Sequence, residues 1–357
     1  MAAMSVPGSP ATAPGAARPY APSWVHALTG AMDRLPGPRW VAYLGLAAVM
    51  IVLQHIQYWS TGRAEVGTVD RLSTYYGATI AAIVWLAGHL ERTTRSGFER
   101  IRPALTVGEA EADRLGYELT IIPGRPAAAI TIIGAVISIA SFLADPEGAA
   151  VGGLPPAMLA LAFATQVVGS SLVFQMLYWL LRQMRTVRDI LDRAVNVDVF
   201  RPGPLHAIAA LTARPGALLT LLVASVVLVV PVTDNLEAFL VGWGPYLIAP
   251  PLFAVVAFVA PLAGAHARLE AQKERLQDET EDRIRGLLED LHRDVDARDL
   301  ARADAYSKTL AALVTERDLL ARLSTWPWSV STLRRFISAI GLPLALFVTQ
   351  QLVVRLL

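Results

Sequence analysis

The sequence predicts an all-α integral membrane protein, a bundle of seven transmembrane helices with a cytoplasmic helical hairpin before the last of them. Three observations favour this class. Hydrophobic residues make up 54% of the 357 residues and the mean hydropathy is +0.46, both above the balance usual for soluble domains. Several apolar runs reach the length of a bilayer crossing. Basic residues gather in alternate connections between these runs.

Seven apolar runs are about long enough to cross a hydrocarbon core of roughly 30 Å at about 1.5 Å per residue. No Asp, Glu, Lys or Arg lies in the middle of any run. The second, third and fifth runs are short, so a re-entrant segment stays open as an alternative for one of them. The runs are residues 40–59, 74–90, 127–144, 157–181, 217–233, 245–265 and 333–354.

The positions of Lys and Arg predict the orientation. With the N-terminus inside, 28 of the 31 basic residues fall on the inner side of the membrane and three on the outer side. Inner connections of membrane proteins carry such an excess of basic residues. The sequence therefore predicts a cytoplasmic N-terminus, an outer C-terminus, and a multi-pass protein of the cell (plasma) membrane whose soluble part is mainly cytoplasmic.

The polar segments divide the chain into units. The Ala- and Pro-rich N-terminus is predicted to be disordered. The next unit places Trp24, Leu28, Met32 and Leu35 on one face of an interfacial amphipathic helix, with a flexible linker as the alternative. The predicted units are residues 1–21, disordered; 22–38, interfacial helix; 39–265, six-span membrane domain with cytoplasmic helical loops at 91–126 and 182–216; 266–330, cytoplasmic hairpin; and 331–357, seventh transmembrane helix.

The longest polar segment predicts the hairpin. As one helix, residues 266–323 would extend about 85 Å, yet both ends of the segment meet the same face of the membrane. Residues 293–299 contain almost no apolar side chain, so we place the bend there. Two arms with thin apolar stripes are marginal alone, which favours packing on residues 182–213 or on the hairpin of another subunit.

Several kinds of chemistry are disfavoured. The chain has no cysteine, which excludes disulfides, thiolate metal sites and a cysteine nucleophile. The six histidines show no metal-ligand spacing, and no nucleophile elbow, phosphate-binding glycine loop or dinucleotide fingerprint stands in a suitable context. We therefore expect no enzymatic activity, no metal or other cofactor and no nucleic-acid partner. The absence of charge at mid-membrane disfavours proton-coupled transport.

Neutral polar residues inside the predicted spans are the candidate site. They are interpreted either as interhelical hydrogen bonds or as the lining of a pore or polar path. The candidates are Gln54, His55 and Gln57 in the first span, Gln166, Ser170, Ser171 and Gln175 (beside Thr165) in the fourth, and Thr349, Gln350 and Gln351 in the seventh.

Residues at the ends of the predicted spans suit contact with the membrane surface. Tryptophan rings prefer the interface, and arginines near it contact anionic headgroups. The predicted interface anchors are Trp40, Trp179, Trp326 and Trp328, and the predicted lipid-headgroup contacts are Arg92, Arg95, Arg334 and Arg335.

Two segments resemble ones in an uncharacterised family of bacterial multi-pass membrane proteins. One is DVFRPGPL at 198–205 with LTAR at 211–214. The other is TWPW at 325–328 with TLR at 332–334, Phe336 and Leu342-Pro343. This resemblance implies no activity, ligand or fold. Separately, the predicted topology is similar to that of insect chemoreceptor channels, an analogy at the level of fold alone. It implies a last span that lines a central pore in an oligomer.

Three functional hypotheses follow for a non-enzymatic membrane protein. The first is a homo-oligomeric channel assembled through its cytoplasmic helices. The second is a membrane-anchored scaffold or signalling protein that binds a cytoplasmic protein partner. The third is a transporter of small molecules or lipids. The expected partners are the lipid bilayer and further copies of the chain, with a cytoplasmic protein added under the second hypothesis.

Overall fold

The computed structural model describes residues 19–62, 64–144, 154–193, 195, 198–229 and 236–356, and within them the fold is all-α. Short 3-10 turns follow α3, α7 and α8. The helices are α1 (Trp24–Asp33), α2 (Arg39–Ser60), α3 (Arg71–Ile101), α4 (Glu109–Thr120), α5 (Gly124–Ala144), α6 (Pro156–Arg193), α7 (Gly203–Ala224), α8 (Leu236–Val259), α9 (Ala263–Asp296), α10 (Ala303–Arg322) and α11 (Val330–Leu356).

Six helical stretches in the described residues are long and apolar enough to cross a membrane. They lie in α2, α5, α6, α7, α11 and the continuous helical stretch Ile248–Asp296, which begins in α8 and includes α9. The prediction of a membrane-embedded helical bundle is confirmed to this extent. The remaining predicted crossing, the second (residues 74–90), lies in α3, whose mixture of apolar and polar side chains falls short of that apolarity. Seven crossings and their orientation stay predictions.

Helix α3 packs antiparallel along α2. A Cβ atom on Gly77 would lie 2.6 Å from the backbone of Ile51, so only glycine permits this close approach. About three turns further along α3, Gly88 faces the hydroxyl of Tyr43. Because the partner number falls as the α3 number rises, the two helices run in opposite directions. Helix α3 thus follows the length of a membrane-spanning helix.

Two apolar cores hold the bundle together. One joins α1, α2, α3, α5 and α6 around Leu90, Leu172 and Trp179. The other draws on all three predicted inner connections, with Phe98 at the end of α3, Ile190 on α6 and Leu269 on α9 among its members. The basic connections therefore meet at one end of the bundle, which we call the arginine-rich end.

Helices α9 and α10 form an antiparallel hairpin that leaves the arginine-rich end. Lys273 on α9 bonds to Ala321 and Leu323, whereas Asp294 near the far end of α9 bonds to Tyr306 at the start of α10. The bend occupies residues 297–302, slightly after the predicted position. It begins with Arg298 in the left-handed region at φ 57°, a conformation that reverses the chain without glycine or proline.

The N-terminal segment is more ordered than the sequence predicted. Residues 1–18 of the predicted disordered unit lie outside the described residues. Within that unit, the Tyr20 hydroxyl donates to the carbonyl of Ile121 at 2.9 Å, and the Arg182 guanidinium lies 5.1 Å from the centre of the Tyr20 ring. Order therefore begins before residue 22, because Tyr20 gains partners that are about 100 or more residues away in the chain.

Helix α1 docks on the bundle, so the alternative of a flexible linker over 22–38 is wrong. His26 accepts a hydrogen bond from the Ile122 backbone N–H at 2.9 Å through Nε2, which leaves Nδ1 to donate to the Glu91 carboxylate at 3.0 Å. Burial opposes ionisation of Glu91, but the bond from His26 and the charges of Arg95 and Arg92 hold its pKa below the usual value. His26 thus joins three separate elements.

Candidate functional site

Part of the predicted polar strip on α6 ties neighbouring helices together. Thr165 accepts a hydrogen bond from the side chain of Gln57 on α2 at 3.2 Å. The hydroxyl of Ser170 lies 3.2 Å from that of Ser138 on α5. Gln166 points away from the bundle and is exposed. For Thr165, Gln57 and Ser170 the structure therefore favours the interpretation as interhelical hydrogen bonds.

The remaining polar residues of α6 are buried without complete pairing. Gln175 donates a long hydrogen bond of 3.4 Å to Thr131 on α5, but its carbonyl oxygen Oε1 has no partner. Seven buried side-chain polar atoms of the described residues lack a protein partner, and four of them belong to one stripe of α6. These four are Ser171 Oγ, Gln175 Oε1, Trp179 Nε1 and Gln183 Oε1.

The polar residues of α2 have a structural role at the opposite end. His55 is buried, its Nδ1 bonds to the carbonyl of Ile51 at 2.8 Å, and its Nε2 accepts from the backbone N–H of Asp70 at 3.1 Å. Asp70 in turn caps α3 by accepting from the Ser73 N–H at 2.7 Å. His55 thus fixes the connection between α2 and α3. Gln54 is half-buried.

Helix α11 packs on the bundle through one face. Its buried residue Phe336 and its half-buried residue Ile340 join the core at the arginine-rich end, and its main neighbour is α7. The opposite face is exposed and carries Ile337 and Val348. Thr349 is exposed too and donates only to the carbonyl of Ala345 in its own helix, at 2.8 Å. Gln350 and Gln351 are also candidate site residues, and the structure does not describe their side chains.

The base of the hairpin is fixed to the bundle by polar contacts. Arg268 on α9 forms an ion pair of 2.9 Å with Asp192 on α6. Gln272 accepts from the backbone N–H of Val199 at 3.1 Å. The ammonium group of Lys273 donates to the carbonyls of Ala321 and Leu323, at 2.8 and 2.9 Å, and so caps the C-terminus of α10.

Stacked aromatic rings complete the base. The His266 ring lies parallel to the Trp326 ring with centroids 3.8 Å apart, and His266 Nδ1 bonds to the Thr325 carbonyl at 3.0 Å. Trp326 stacks on Trp328 at 4.4 Å, and Trp328 contacts Phe258 of α8. Phe258 in turn contacts Phe336 of α11, with centroids 4.4 Å apart. A continuous series of rings therefore connects the hairpin to the last membrane helix.

The distal half of the hairpin lacks such neighbours. An open groove of about 220 Å³ lies between α9 and α10 close to the bend. Its walls are mainly apolar, with Leu287, Leu288 and Leu291 from α9 and Leu310 from α10. These leucines are half-buried, so two helices alone cover them incompletely. The residues of this groove and the polar residues of the hairpin base were not among the sequence-predicted site residues.

The structure separates the predicted interface anchors. Trp40 is exposed and Trp326 is 40% exposed, whereas Trp328 is half-buried in the aromatic series. Trp179 is only 4% exposed and packs inside the bundle, so its prediction as an interface anchor is corrected. The Trp179 side chain packs among residues of α1, α3 and α5, because these helices cover α6 at that turn.

The predicted headgroup arginines also divide into two groups. Arg92 pairs with Asp33 of α1 at 3.1 Å and so joins α3 to α1, whereas Arg95 pairs with Glu91 at 2.9 Å within α3. Arg334 and Arg335 are exposed at the start of α11. Within the part of the chain that the structure describes, Arg334 and Arg335 form no ion pair, in contrast to Arg92 and Arg95.

Sequence reasoning named Trp326 and Trp328 only as interface anchors and missed the polar residues of the hairpin base, Arg268, Gln272 and Lys273. One signal was present: Lys273 is one of only two lysines in a chain whose other basic residues are arginines. Among the residues that the structure describes, no group of three His, Asp or Glu side chains is arranged to hold a metal ion. Comparison of the chain with protein-family models, with curated proteins and with solved structures found no match.

Proposed function

We propose that the chain is a non-enzymatic homo-oligomeric membrane protein whose subunits associate through the distal half of the hairpin. The observation that carries this proposal is the groove lined by half-buried leucines, Leu287, Leu288, Leu291 and Leu310. A helix pair with one open apolar face is stabilised by further helices that cover it. Hairpins of neighbouring subunits emerge from the same membrane face and reach the same height, so their grooves meet.

We propose further that the oligomer is a channel, and features of its apolar helices support this function. Thr165, Gln57 and Ser170 are used in bonds between helices, which argues against a wide pore inside one bundle. The free face of α11 leaves room for a pore between subunits, with Thr349 facing the axis. The proposal keeps α3 as the second of seven crossings, supported by its antiparallel packing along α2.

The absence of cysteine makes a sharp test available. In the full-length protein in lipid nanodiscs, a single cysteine from Leu288→Cys is expected to form intermolecular disulfides under mild oxidation. The matched control is Leu319→Cys, on the same hairpin but 61% exposed and away from the groove. Native mass spectrometry gives the subunit number. A monomeric wild type, or equal cross-linking of the two variants, contradicts the proposal.

Conductance tests the channel form separately. Purified protein in planar bilayers is expected to show discrete currents that a thiol reagent reduces in Thr349→Cys and leaves unchanged in Ile340→Cys, since Ile340 lies on the opposite face of α11 and packs on the bundle. An oligomer that carries no current would support assembly through the hairpin and contradict the channel function.

A membrane-anchored scaffold is the second candidate, and Phe200 favours it. Phe200 is 60% exposed in the turn before α7, a turn that Gln272 holds against the hairpin base. Under this hypothesis the exposed Phe200 ring is the apolar anchor that a protein partner would bury. Under this hypothesis Phe200→Ala abolishes partner binding by the full chain without changing its oligomeric state.

A further inference from the structure

One face of α3 carries two stacked rings that the homo-oligomer proposal does not use. Trp85 is 41% exposed, and its indole ring lies nearly parallel to the half-buried ring of His89, with centroids 5.0 Å and planes 17° apart. Residues four apart on a helix lie on the same face. The two rings therefore form one surface on α3, part of which is open to the surroundings of the bundle.

Helix α7 brings a basic residue beside these rings. Gly97 of α3 packs against Leu211 of α7, and the Tyr75 hydroxyl at the other end of α3 donates to the Leu222 carbonyl at 3.3 Å. The two helices are therefore antiparallel. His89 lies between these contacts, closer to the Gly97 end, and so comes opposite the turn of α7 that carries Arg214.

The charges around the His89 ring are positive. Those that act on the ring belong to Arg214 and to Arg92, which follows His89 by one turn. Arg214 is exposed and forms no ion pair within the part of the chain that the structure describes. Arg92 shares the carboxylate of Asp33 with Arg39, at distances of 3.1 and 3.5 Å. An anion can therefore bind at Arg214 without displacing a partner inside the bundle.

The depth of these groups matches the layers of a phospholipid. Arg214 stands just before the predicted crossing in α7, and Arg92 stands just after the one in α3, so both lie at the level of the headgroups. Trp85 lies one turn, about 6 Å, deeper than His89. Positive charge thus occupies the level of the lipid phosphates, and an open indole ring occupies the interface beneath it.

The chemistry of these side chains selects a kind of lipid. A guanidinium group donates two parallel hydrogen bonds to phosphate oxygens, and an imidazole N–H can donate a third. A zwitterionic lipid carries a cation beside its phosphate, which Arg214 and Arg92 would repel. A free phosphate ion would leave the exposed ring of Trp85 unused. The best match is an anionic phospholipid.

We propose that Trp85, His89 and Arg214 form a binding site for one anionic phospholipid in each subunit, which we name the α3–α7 site. The lipid phosphate accepts hydrogen bonds from Arg214 and His89, and the glycerol region packs on Trp85. The site rests on the membrane position of α3 that the proposed function adopts. It does not require association through the hairpin.

Native mass spectrometry tests the site in the full-length protein, released from nanodiscs that contain equal amounts of phosphatidylglycerol and phosphatidylcholine. We expect each subunit to retain one phosphatidylglycerol, and Arg214→Gln to reduce this retention several-fold. Arg125→Gln is the matched control, because it removes the same charge from an exposed position at the start of α5. That variant is expected to retain the lipid.

Two outcomes of this measurement would overturn the proposal. One is an equal effect of Arg214→Gln and Arg125→Gln, which would indicate general attraction between basic residues and the membrane. The other is equal retention of the two lipids by the wild type. The same spectra report the subunit number, so failure of the lipid site and failure of the hairpin interface are distinguished.

Thermal unfolding in detergent separates a lipid from a free anion. Dioctanoyl phosphatidylglycerol is expected to raise the Tm by several degrees, whereas inorganic phosphate at the same concentration leaves it unchanged. His89→Gln keeps an N–H donor and should retain most of this shift, and His89→Leu should lose most of it. An equal shift with inorganic phosphate, or an undiminished shift in His89→Leu, would contradict the proposed site.

Discussion

The two halves of the hairpin are built in opposite ways. At the base, α9 contacts the bundle through Arg268 and Gln272 and through the ring series from His266 to Phe336, while Lys273 joins α9 to the end of α10. In the distal half they contact only each other, and their leucines stay half-buried. The difference indicates a fixed joint at the base and, beyond it, a surface that another molecule completes.

The largest expected effect separates these roles. Leu288→Glu with Leu310→Glu places two carboxylates in the groove, where an assembled state would have to bury them. We expect native mass spectrometry to show monomers, with the Tm of the membrane bundle nearly unchanged. Leu319→Glu, an exposed position on the same hairpin, is expected to leave the oligomer intact. Retention of the oligomer in the double variant would show that the distal half of the hairpin is not the surface through which subunits associate.

A smaller effect is expected from the ring series at the base. Trp326→Ala removes the stacked contacts with His266 and Trp328, each worth about 0.5–1.5 kcal/mol for aromatic pairs. The free energy of unfolding should fall by about 1–3 kcal/mol while the subunit number stays the same. Trp40→Ala, at an exposed tryptophan outside the series, is the control in the same denaturation experiment. Loss of assembly in Trp326→Ala would mean that base and distal half share one role.

The lysine cap should contribute less again. Lys273→Met keeps the length of the side chain but removes the donor to Ala321 and Leu323, which costs about 1 kcal/mol. Hydrogen exchange of the last turn of α10 should become faster. Lys308→Met provides a close control, because Lys308 bonds only to the exposed Asp304 within its own helix. Equal exchange in both variants would show that the cap is not used.

The ion pair between Arg268 and Asp192 is expected to matter least. Both side chains are about 40% exposed, so water and salt screen the pair. Arg268→Gln should lower the free energy of unfolding by about 0.2–1 kcal/mol at low salt and by less at high salt. A thermal shift titration with sodium chloride measures this. A larger loss that persists in high salt would assign Arg268 a packing role instead.

The membrane bundle and the hairpin were predictable from the sequence because their signals are local. Apolar runs of spanning length and the polar stretch from His266 onwards depend on composition along the chain. The second crossing was one of the three short runs, and its helix, α3, falls short of the apolarity of the six candidate spans. Most side chains of α3 are covered by α2, α6 and α7, so they can be less apolar than side chains that face lipid.

The roles of individual polar residues could not be predicted in the same way. Ser170 and Ser171 are adjacent in sequence, yet one bonds to Ser138 and the other has no protein partner. Trp179 has the position of an interface anchor along the chain but lies inside the bundle. Each outcome depends on which helix stands opposite, and that is set by contacts between residues far apart in sequence.

By itself, then, the sequence determined the class of the molecule, the approximate places of its apolar helices and the hairpin between α8 and α11, since hydropathy and charge act on each segment separately. Only the tertiary structure decided that α1 is docked by His26, that the hairpin is fixed at its base and open at its end, and that four polar atoms of α6 are buried together. Burial and pairing are properties of neighbours in space, and the spacing of residues along one chain does not specify them.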